Sequence, residues 1–469
     1  MADLLSILSQ SASSLTAQSG LAATASNNIQ NANTDGYSRQ TAVLADVLPA
    51  ERVGGAYIGR GSTLQTVSQS RNRFLEAQLP AAFSAASKSS AESATLSGVT
   101  ALDPDGGAGL SSALGDFYSS LTALSQNPGD SSLRQAAVST AKALTLAFNG
   151  AASSLNAARS GVDADVSGNI ATVNALAQSV ASLNAQIAIA RASGGQPNDL
   201  LDARQKAQDQ LATLVGAVPI PDAKGNINLS FPNGQSLVSG NTASTVAAVS
   251  DPSNGGHVAL TLASGGAPPK PLLSTNVGGG LGGELAARDG ALKTAGESLD
   301  TLAFDFANTV NAVHQAGYGL DGSTGQALFD TTATSAGAAA KLAVDPAVLG
   351  NPGKLAAASS AGTLPGDGAN LLSVIQTETT ALSTGSNVSA TLSNLTAAFG
   401  SAAANSATVS AHDAAISANL TGLRESTSGV SIDEEMVTLT RAQRGYEAVA
   451  KVLQTTNDML DTLMSIKST

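Results

Sequence analysis

Between Asp130 and Ala192 the chain runs 63 residues without a proline. One continuous helix over that stretch, at about 1.5 Å per residue, would be roughly 95 Å long. A rod of that length cannot fold on itself and needs other long helices beside it. Leu133, Ala137, Leu144, Phe148 and Leu155, then Val162, Val166, Val173, Leu176, Val180, Leu183 and Ile187, recur at steps of three, four or seven. Those are the steps of an apolar helical stripe. Gly150, Gly161 and Gly168 interrupt it, each costing about 1 kcal/mol relative to Ala in a helix interior, so the reading allows two helices here.

The same seven-residue period returns elsewhere. Leu8, Leu15, Ala22 and Ile29 keep it near the start, beside Leu4, Leu5 and Leu21. Ile432, Leu439, Tyr446, Leu453 and Leu460 keep it at the end, widened by Val449, Val452, Met459, Leu463 and Ile466. The last helix is announced by Ser431-Ile432-Asp433-Glu434, an S-x-x-E capping box with acidic residues in its first turn. Two inner series follow the rule, Leu285 to Val313 and Val388 to Leu423 through Leu395, Ala402, Val409 and Ile416, and a shorter helix spans 199–215. The first helix has only a narrow stripe, and at about 25 cal/mol per Å² its burial barely offsets the cost of ordering the chain. It therefore needs a partner helix, which the C-terminal one can supply while leaving apolar surface for a neighbouring molecule.

The expected fold is mainly α with a β insertion: an elongated multi-helix bundle with terminal coiled-coil helices and a small outer β domain. Residues 1–37 and 431–469 form the terminal pair, and 38–216 with 284–430 the helical rod. Residues 217–283, rich in Gly, Pro and Asn with short alternating runs, form the inserted β domain. Residues 319–368 are a loop-rich segment within the rod, and 38–70, including the Gly-rich Gly54 to Gly61, read as extended.

Composition narrows the function. The formal net charge is −12, with no basic block, which disfavours a grip on nucleic acid or anionic lipid. Only 9 Phe and 5 Tyr are present and no Trp, a poor supply for an aromatic-lined ligand pocket. The absence of cysteine excludes disulfides, thiolate metal sites and thiol nucleophiles together. No conventional secretory signal is read at the start, and no apolar run is long enough to span a membrane.

The residue types that carry specific chemistry do not fall into a working pattern. His257, His314 and His412 have no partner at metal-ligand spacing and read as ordinary surface or packed residues. Gly278, Gly280 and Gly283 satisfy G-x-G-x-x-G formally, but Pro268, Pro269 and Pro271 upstream argue against a strand feeding a phosphate loop, and a flexible hinge is the better reading. Asp321 to Gly325 resembles the start of a calcium loop without its closing Glu, and reads as a turn. No catalytic, cofactor-binding or metal-binding residue emerges.

Three strings carry a resemblance instead. Ala25 to Gln40, with Asn27, Asn28, Ile29, Asn33, Thr34, Gly36 and Tyr37, resembles the N-terminal signature of axial proteins of the bacterial flagellum. Ser428 to Glu435, followed by Leu439, Gln443, Tyr446 and Leu453, is similar to their closing helix. Asn198-Asp199-Leu200-Leu201-Asp202-Ala203-Arg204 and His314-Gln315-Ala316-Gly317-Tyr318 resemble the hook-associated FlgK family. That resemblance implies a non-enzymatic subunit joining hook to filament, without cofactor, exported unfolded by the flagellar type III apparatus. It also implies terminal helices that order on assembly. Its implied partners are further copies of itself, the hook protein, a filament-side junction protein and an export chaperone on the C-terminal helix. Within this scheme Leu8, Leu15 and Ile29 are expected to face Tyr446, Leu453 and Leu460, with Leu439 in the same row, while Leu463 and Ile466 reach adjacent subunits. Rival readings are another axial protein (hook, rod or filament-side junction) and, further off, a secreted adhesin using residues 217–283.

Overall fold

A computed structural model describes residues 2–47, 52–53, 56–57, 61–100 and 109–467. Most of the Gly54 to Gly61 stretch and the side chain of Ile466 therefore lie outside the described residues. Helix α1 (Ala2–Gln30) leads into strand β1 (Gln40–Asp46), the paired short strands β2 (Arg52–Val53) and β3 (Ala56–Tyr57), and β4 (Ser62–Gln69). Strands β1 and β4 run antiparallel, Gln40 opposite Gln69 and Asp46 opposite Ser62. Helices α2 (Arg73–Ser97), α3 (Leu110–Gln126), α4 (Ser131–Ala192) and α5 (Asn198–Val215) follow. The chain then enters the sheet β5 (Val218–Pro221), β6 (Ile227–Ser230), β7 (Ser236–Ser239) and β8 (Thr242–Ala243). A second sheet has β9 (Thr245–Ser250), β10 (Val258–Ala263) and β11 (Lys270–Leu272), with β10 in the centre. Helices α6 (Gly279–Ala287) and α7 (Lys293–His314) lead through β12 (Phe329–Asp330), α8 (Ala338–Lys341), β13 (Ala343–Val344), α9 (Pro346–Gly350) and α10 (Ala369–Gln376). The long α11 (Val388–Ser428) and α12 (Ile432–Lys467) close the fold.

Helix α4 is the spine, and it is unbroken, where the sequence left room for two helices. The reason is placement: Gly150, Gly161 and Gly168 point into open space, while Phe148, Ala151, Val162 and Val166 beside them are buried. The packing on each side offsets the propensity lost at the glycines. The spine carries two apolar cores. Its N-terminal half packs against α3 and α7, on which α10 and α11 pack in turn, so that Phe117, Leu144, Phe306, Leu371 and Phe399 share one core. Phe306 lies 5.9 Å from Phe117 and 5.3 Å from Phe329, ring centre to ring centre, so the scarce aromatic residues are concentrated here. Its C-terminal half joins Val173 and Val180 to Leu211, Leu229, Phe231 and Leu260 of α5 and the two sheets.

Two inner heptad series behave differently. Leu285, Leu292, Leu299 and Phe306 are all buried, their row carried across a π-helical turn at Arg288–Leu292. On α11, Val388, Leu395 and Phe399 are buried, yet Val409, Ile416 and Leu423 are 42%, 43% and 49% exposed. A straight helix drifts about 20° per strict heptad, so that row leaves the core, and smaller residues such as Ser406 and Ser410 take the inner face.

Residues 319–368 form a lobe of short turns fastened to the helices by polar side chains. Asn311 donates to the Phe329 carbonyl at 2.8 Å and accepts from the amides of Leu328 and Phe329, both at 2.9 Å. Arg134, 1% exposed, donates to the Pro128 and Leu355 carbonyls. His314 Nδ1 donates to the Gln326 carbonyl at 2.7 Å, and Nε2 accepts the Ala356 amide at 2.9 Å. Asp321 accepts from the Ser323 amide, making the expected turn.

The two bonds of His314 require a neutral ring. Burial lowers its pKa from 6.5, opposed by the Gln326 carbonyl and Asp345. The unfolded chain therefore binds more protons as pH falls below about 6.5, and stability that is complete above that value declines on acidification. Glu284, raised by burial to about 7, works in the opposite sense, losing its contribution as pH rises from about 4.5 towards 7. The difference between wild type and His314→Asn isolates the histidine. Thermal unfolding between pH 7.5 and 5 is expected to fall more steeply in the wild type, and parallel curves would refute this role.

Candidate assembly interface

Helices α1 and α12 lie side by side, and α1 also packs on the β1–β4 hairpin. A Cβ at Gly20 would meet the Leu64 side chain at 2.7 Å, and one at Gly445 the Gln18 Oε1 at 2.7 Å. The positions most deeply covered are small or polar: Ser11, Ala17 and Ala25 on α1, Glu435, Ala442 and Thr456 on α12. Leu8, Leu15, Ile29, Leu439, Leu453 and Leu460 are half-buried at the margins. Tyr446 is 47% and Leu463 46% exposed. Sequence reasoning followed the bulky rows and passed over the small-residue seam beside them, where the row Glu435, Ala442, Val449, Thr456 also steps by seven.

The start of α12 is where the seam becomes specific. Ser431 Oγ accepts the Glu434 amide at 3.5 Å, as the capping box predicts. One turn in, Glu435 is 3% exposed. Its Oε1 accepts Arg39 Nε at 2.8 Å and its Oε2 accepts Asn28 Nδ2 at 3.0 Å. Asn28, wholly buried, uses its full amide capacity. Nδ2 donates also to the Gln40 carbonyl at 2.8 Å, and Oδ1 faces the Gln40 amide at 2.9 Å and the Tyr37 hydroxyl at 2.7 Å. Asn27 Oδ1 lies 2.8 Å from the same hydroxyl, whose single proton serves one of the two at a time. Arg39 reaches Glu434 at 3.0 Å, and its amide donates to the Ser428 carbonyl at 2.8 Å. Burial, then Asp202, Asp199 and Glu435, push the Tyr37 hydroxyl up to about 12, so it stays a donor.

The N-terminal string turns at Gly36, φ +82°, against the Lys206 side chain. Asn33, Thr34 and Gly36 are exposed and Tyr37 is half-buried. From that turn the string meets the third motif. Asp202 on α5 accepts Arg71 at 2.5 Å and the Ser38 amide at 3.4 Å. Burial raises the Asp202 pKa despite Arg71. Asn198 donates to the Val67 carbonyl at 2.9 Å, and Gln69 returns a bond to the Asn198 carbonyl at 2.9 Å. Arg204 donates to Asn184 Oδ1 at 2.8 Å, and Asn184 holds the insertion through the Ile227 and Gly240 carbonyls. The strings around residues 28, 202 and 435 thus form one polar knot. Sequence had singled out each string but not Arg39, Arg71, Asp202 or Glu435 as its joints.

The remaining candidates carry packing roles. The Gly278–Gly283 run is not a flexible hinge: Cβ atoms there would strike the Thr213, Val277 and Lys88 carbonyls, so these glycines permit close backbone crossing of α2, α5 and α6. His257 pairs with Asp163 at 2.6 Å, and His412 is exposed on α11. Among the described residues there is no group of three potential metal ligands and no helix long and apolar enough to cross a membrane.

With this geometry in view, two family models match the chain. That of the flagellar hook-associated protein FlgK helical domain covers residues 96–329, and that of the flagellar basal body rod FlgEFG protein C-terminal region covers 424–466. Flagellar hook-associated protein 1 of Salmonella typhimurium is 33% identical over 330 residues, 69% of this chain and 59% of the relative. The chain thus spans about three fifths of that relative's length. The protein of the same name from Bacillus subtilis is 27% identical across 96% of both chains. The flagellar hook junction protein FlgK from Burkholderia pseudomallei shares the fold, with a TM-score of 0.66 and 19% identity over 75% of this chain and all of that one.

Replacing Asn28 by Ala orphans Glu435 Oε2 and both backbone groups of Gln40, about 1–3 kcal/mol for each buried group left unpaired. Opening of α12 is expected to rise at least about tenfold. Initial trypsin cleavage at Arg441, Arg444 and Lys451 reads this directly, with Met436→Ala, at an exposed position, as control. Equal rates for the wild type and Asn28→Ala would show that the knot does not hold the pair.

Proposed function

Because the chain belongs to the flagellar hook-associated protein FlgK family, we propose that it is a structural subunit forming the junction between hook and filament of the bacterial flagellum. The observation that carries this reading is the convergence of the three motif strings on one knot tying both chain ends to the rod. In a chain whose terminal seam buries mostly Ala, Ser and Thr, pairing of the ends is weakly driven by apolar area, which suits helices that order on assembly.

In this reading 1–37 with 431–469 is the assembly core, 38–216 with 284–430 the rod, including the 319–368 lobe, and 217–283 the outer domain. Leu8, Leu15, Ile29, Leu439, Leu453 and Leu460 flank the seam, with Tyr446 at its edge. The exposed row of α12 that includes Leu463 faces adjacent subunits, and Ile466 is assigned to the same contact from its place in the sequence. Asn27, Asn28, Asn33, Thr34, Gly36 and Tyr37 set the turn that brings α1 to the rod. The partners are further copies of the chain, the hook protein and the filament-side junction protein. Export runs through the flagellar type III apparatus, with a chaperone on α12.

Electron microscopy of a strain lacking the chain is expected to show hooks without filaments and flagellin shed into the medium; normal filaments would overturn the proposal. Deleting residues 217–283 is expected to leave motility in place, because an outer domain covers the shaft without building it. Loss of motility with the shaft intact would favour a binding role for that domain.

A further inference from the structure

We propose that Met436, Met459 and Met464 form an oxidation site on α12: hydrogen peroxide converts them to sulfoxides in the unassembled chain, and the oxidised chain no longer joins its neighbours. The inference rests on the assembly reading above and adds a chemical control to it.

The chain has four methionines. Three lie on α12, where Met436, Met459 and Met464 are 52%, 54% and 64% exposed. No methionine is among the buried residues of either core, which are filled mainly by Ala, Val, Leu and Phe. A flexible thioether is an adaptable filler of irregular apolar gaps. Its absence from both cores and its gathering on one exposed helix set α12 apart from the rest of the molecule.

Their placement follows the seam. The covered row of α12 runs through Glu435, Ala442, Val449 and Thr456, and Leu463 continues its step. Met436 and Met464 each follow a member of that row by one residue, about 100° around the helix, and Met459 follows Thr456 by three, about 60° to the other side. Tyr446 stands on the first flank and Val452 on the second, each about half exposed. The methionines thus border the seam on both sides and stay open with α1 docked. Met436 and Met464 lie four heptads apart, about 42 Å along the helix, so the site spans most of the surface that the assembly reading gives to adjacent subunits.

The chain has neither Cys nor Trp, so no thiol or indole competes for an oxidant. A thioether lone pair attacks one peroxide oxygen, the O–O bond breaks and a sulfur–oxygen bond forms. Sulfur loses two electrons, and the proton on the transferred oxygen passes to the departing hydroxide, which leaves as water. The product carries a polar oxygen on a side chain that was apolar. In water that oxygen is solvated and costs the free chain little. Covered by an apolar neighbour it has no donor, and one such unpaired group weakens a contact about tenfold or more.

The purified full chain is treated with hydrogen peroxide at neutral pH, and sulfoxides are located by peptide mass spectrometry. Binding to hooks isolated from a strain lacking the chain is measured by sedimentation, each treated sample against its own untreated control. The wild type is expected to gain one oxygen at each of Met436, Met459 and Met464 and to bind at least about tenfold less, with binding restored by methionine sulfoxide reductases. A chain carrying Met436→Leu, Met459→Leu and Met464→Leu, swaps of similar volume and helix propensity, is expected to bind equally with and without treatment. If the three methionines are oxidised and the wild type binds as before, or they resist peroxide, or the leucine variant loses binding equally, the oxidation site is wrong and the assembly reading stands. If the untreated wild type does not bind hooks, the assembly reading falls and this inference with it.

Discussion

A hydrogen bond between two buried side chains 407 residues apart, Asn28 Nδ2 to Glu435 Oε2, holds the architecture in register. The helices it joins bury mainly Ala, Ser and Thr at their closest approach, and such a seam fits almost as well after sliding by one turn. Apolar area says that α1 and α12 attract; it says little about how they align. Glu435 supplies the alignment because a shifted helix would leave it, Asn28 and Arg39 unpaired away from water, and unmatched buried polar groups cost far more than matched ones contribute. The seam gives proximity and the knot gives position.

Helical periodicity was legible wherever a bulky row faced one layer for its whole length, as in Leu285 to Phe306. It misled where geometry intervened. The row from Val388 to Leu423 is regular in sequence, yet its second half faces solvent, because seven residues are not two full turns of a straight helix. Conversely, the glycines of α4 looked like breaks and are not, since the sequence does not show that they point outward while their neighbours are buried. Helix α2, with Pro80 inside it, has a buried seven-residue row, Leu75, Ala82, Ser89 and Leu96, but small residues in its middle and the proline hide it. Its Ser- and Ala-rich faces are helical through what they pack against, chiefly α6 and α11.

The site was legible as strings but not as a place. Asn28, Tyr37 and the acidic start of α12 stood out through resemblance and capping chemistry. Their meeting with Asp202 and Arg71 depends on the chain leaving α1, making the hairpin and returning beside α5, a path that local spacing does not encode. The glycines at 278–283 show the reverse error. A pattern that suits phosphate binding in one context serves here to let three helices cross, and only the carbonyls of Thr213 and Lys88 distinguish the two.

The knot and the groove beside it are also thermodynamically one object. The wall formed by residues 31–38 is held by the Asn28–Tyr37 and Asp202–Ser38 bonds, and the wall at 424–430 by Arg39 on the Ser428 carbonyl and Arg424 on Asp209. Releasing α12 removes Glu435 from Asn28 and Arg39 and so loosens part of that support, while the Asp202–Ser38 and Arg424–Asp209 bonds stay in place. Anything that fills the groove must then favour the paired ends over the unpaired ones, and pairing must favour filling by the same factor, since coupling free energies are reciprocal. On the proposed assembly reading, a subunit whose termini have docked would present a better-formed groove than one whose termini are loose. A weakly driven seam is what such a coupling needs, because ends that paired firmly in isolation would leave the neighbour nothing to shift.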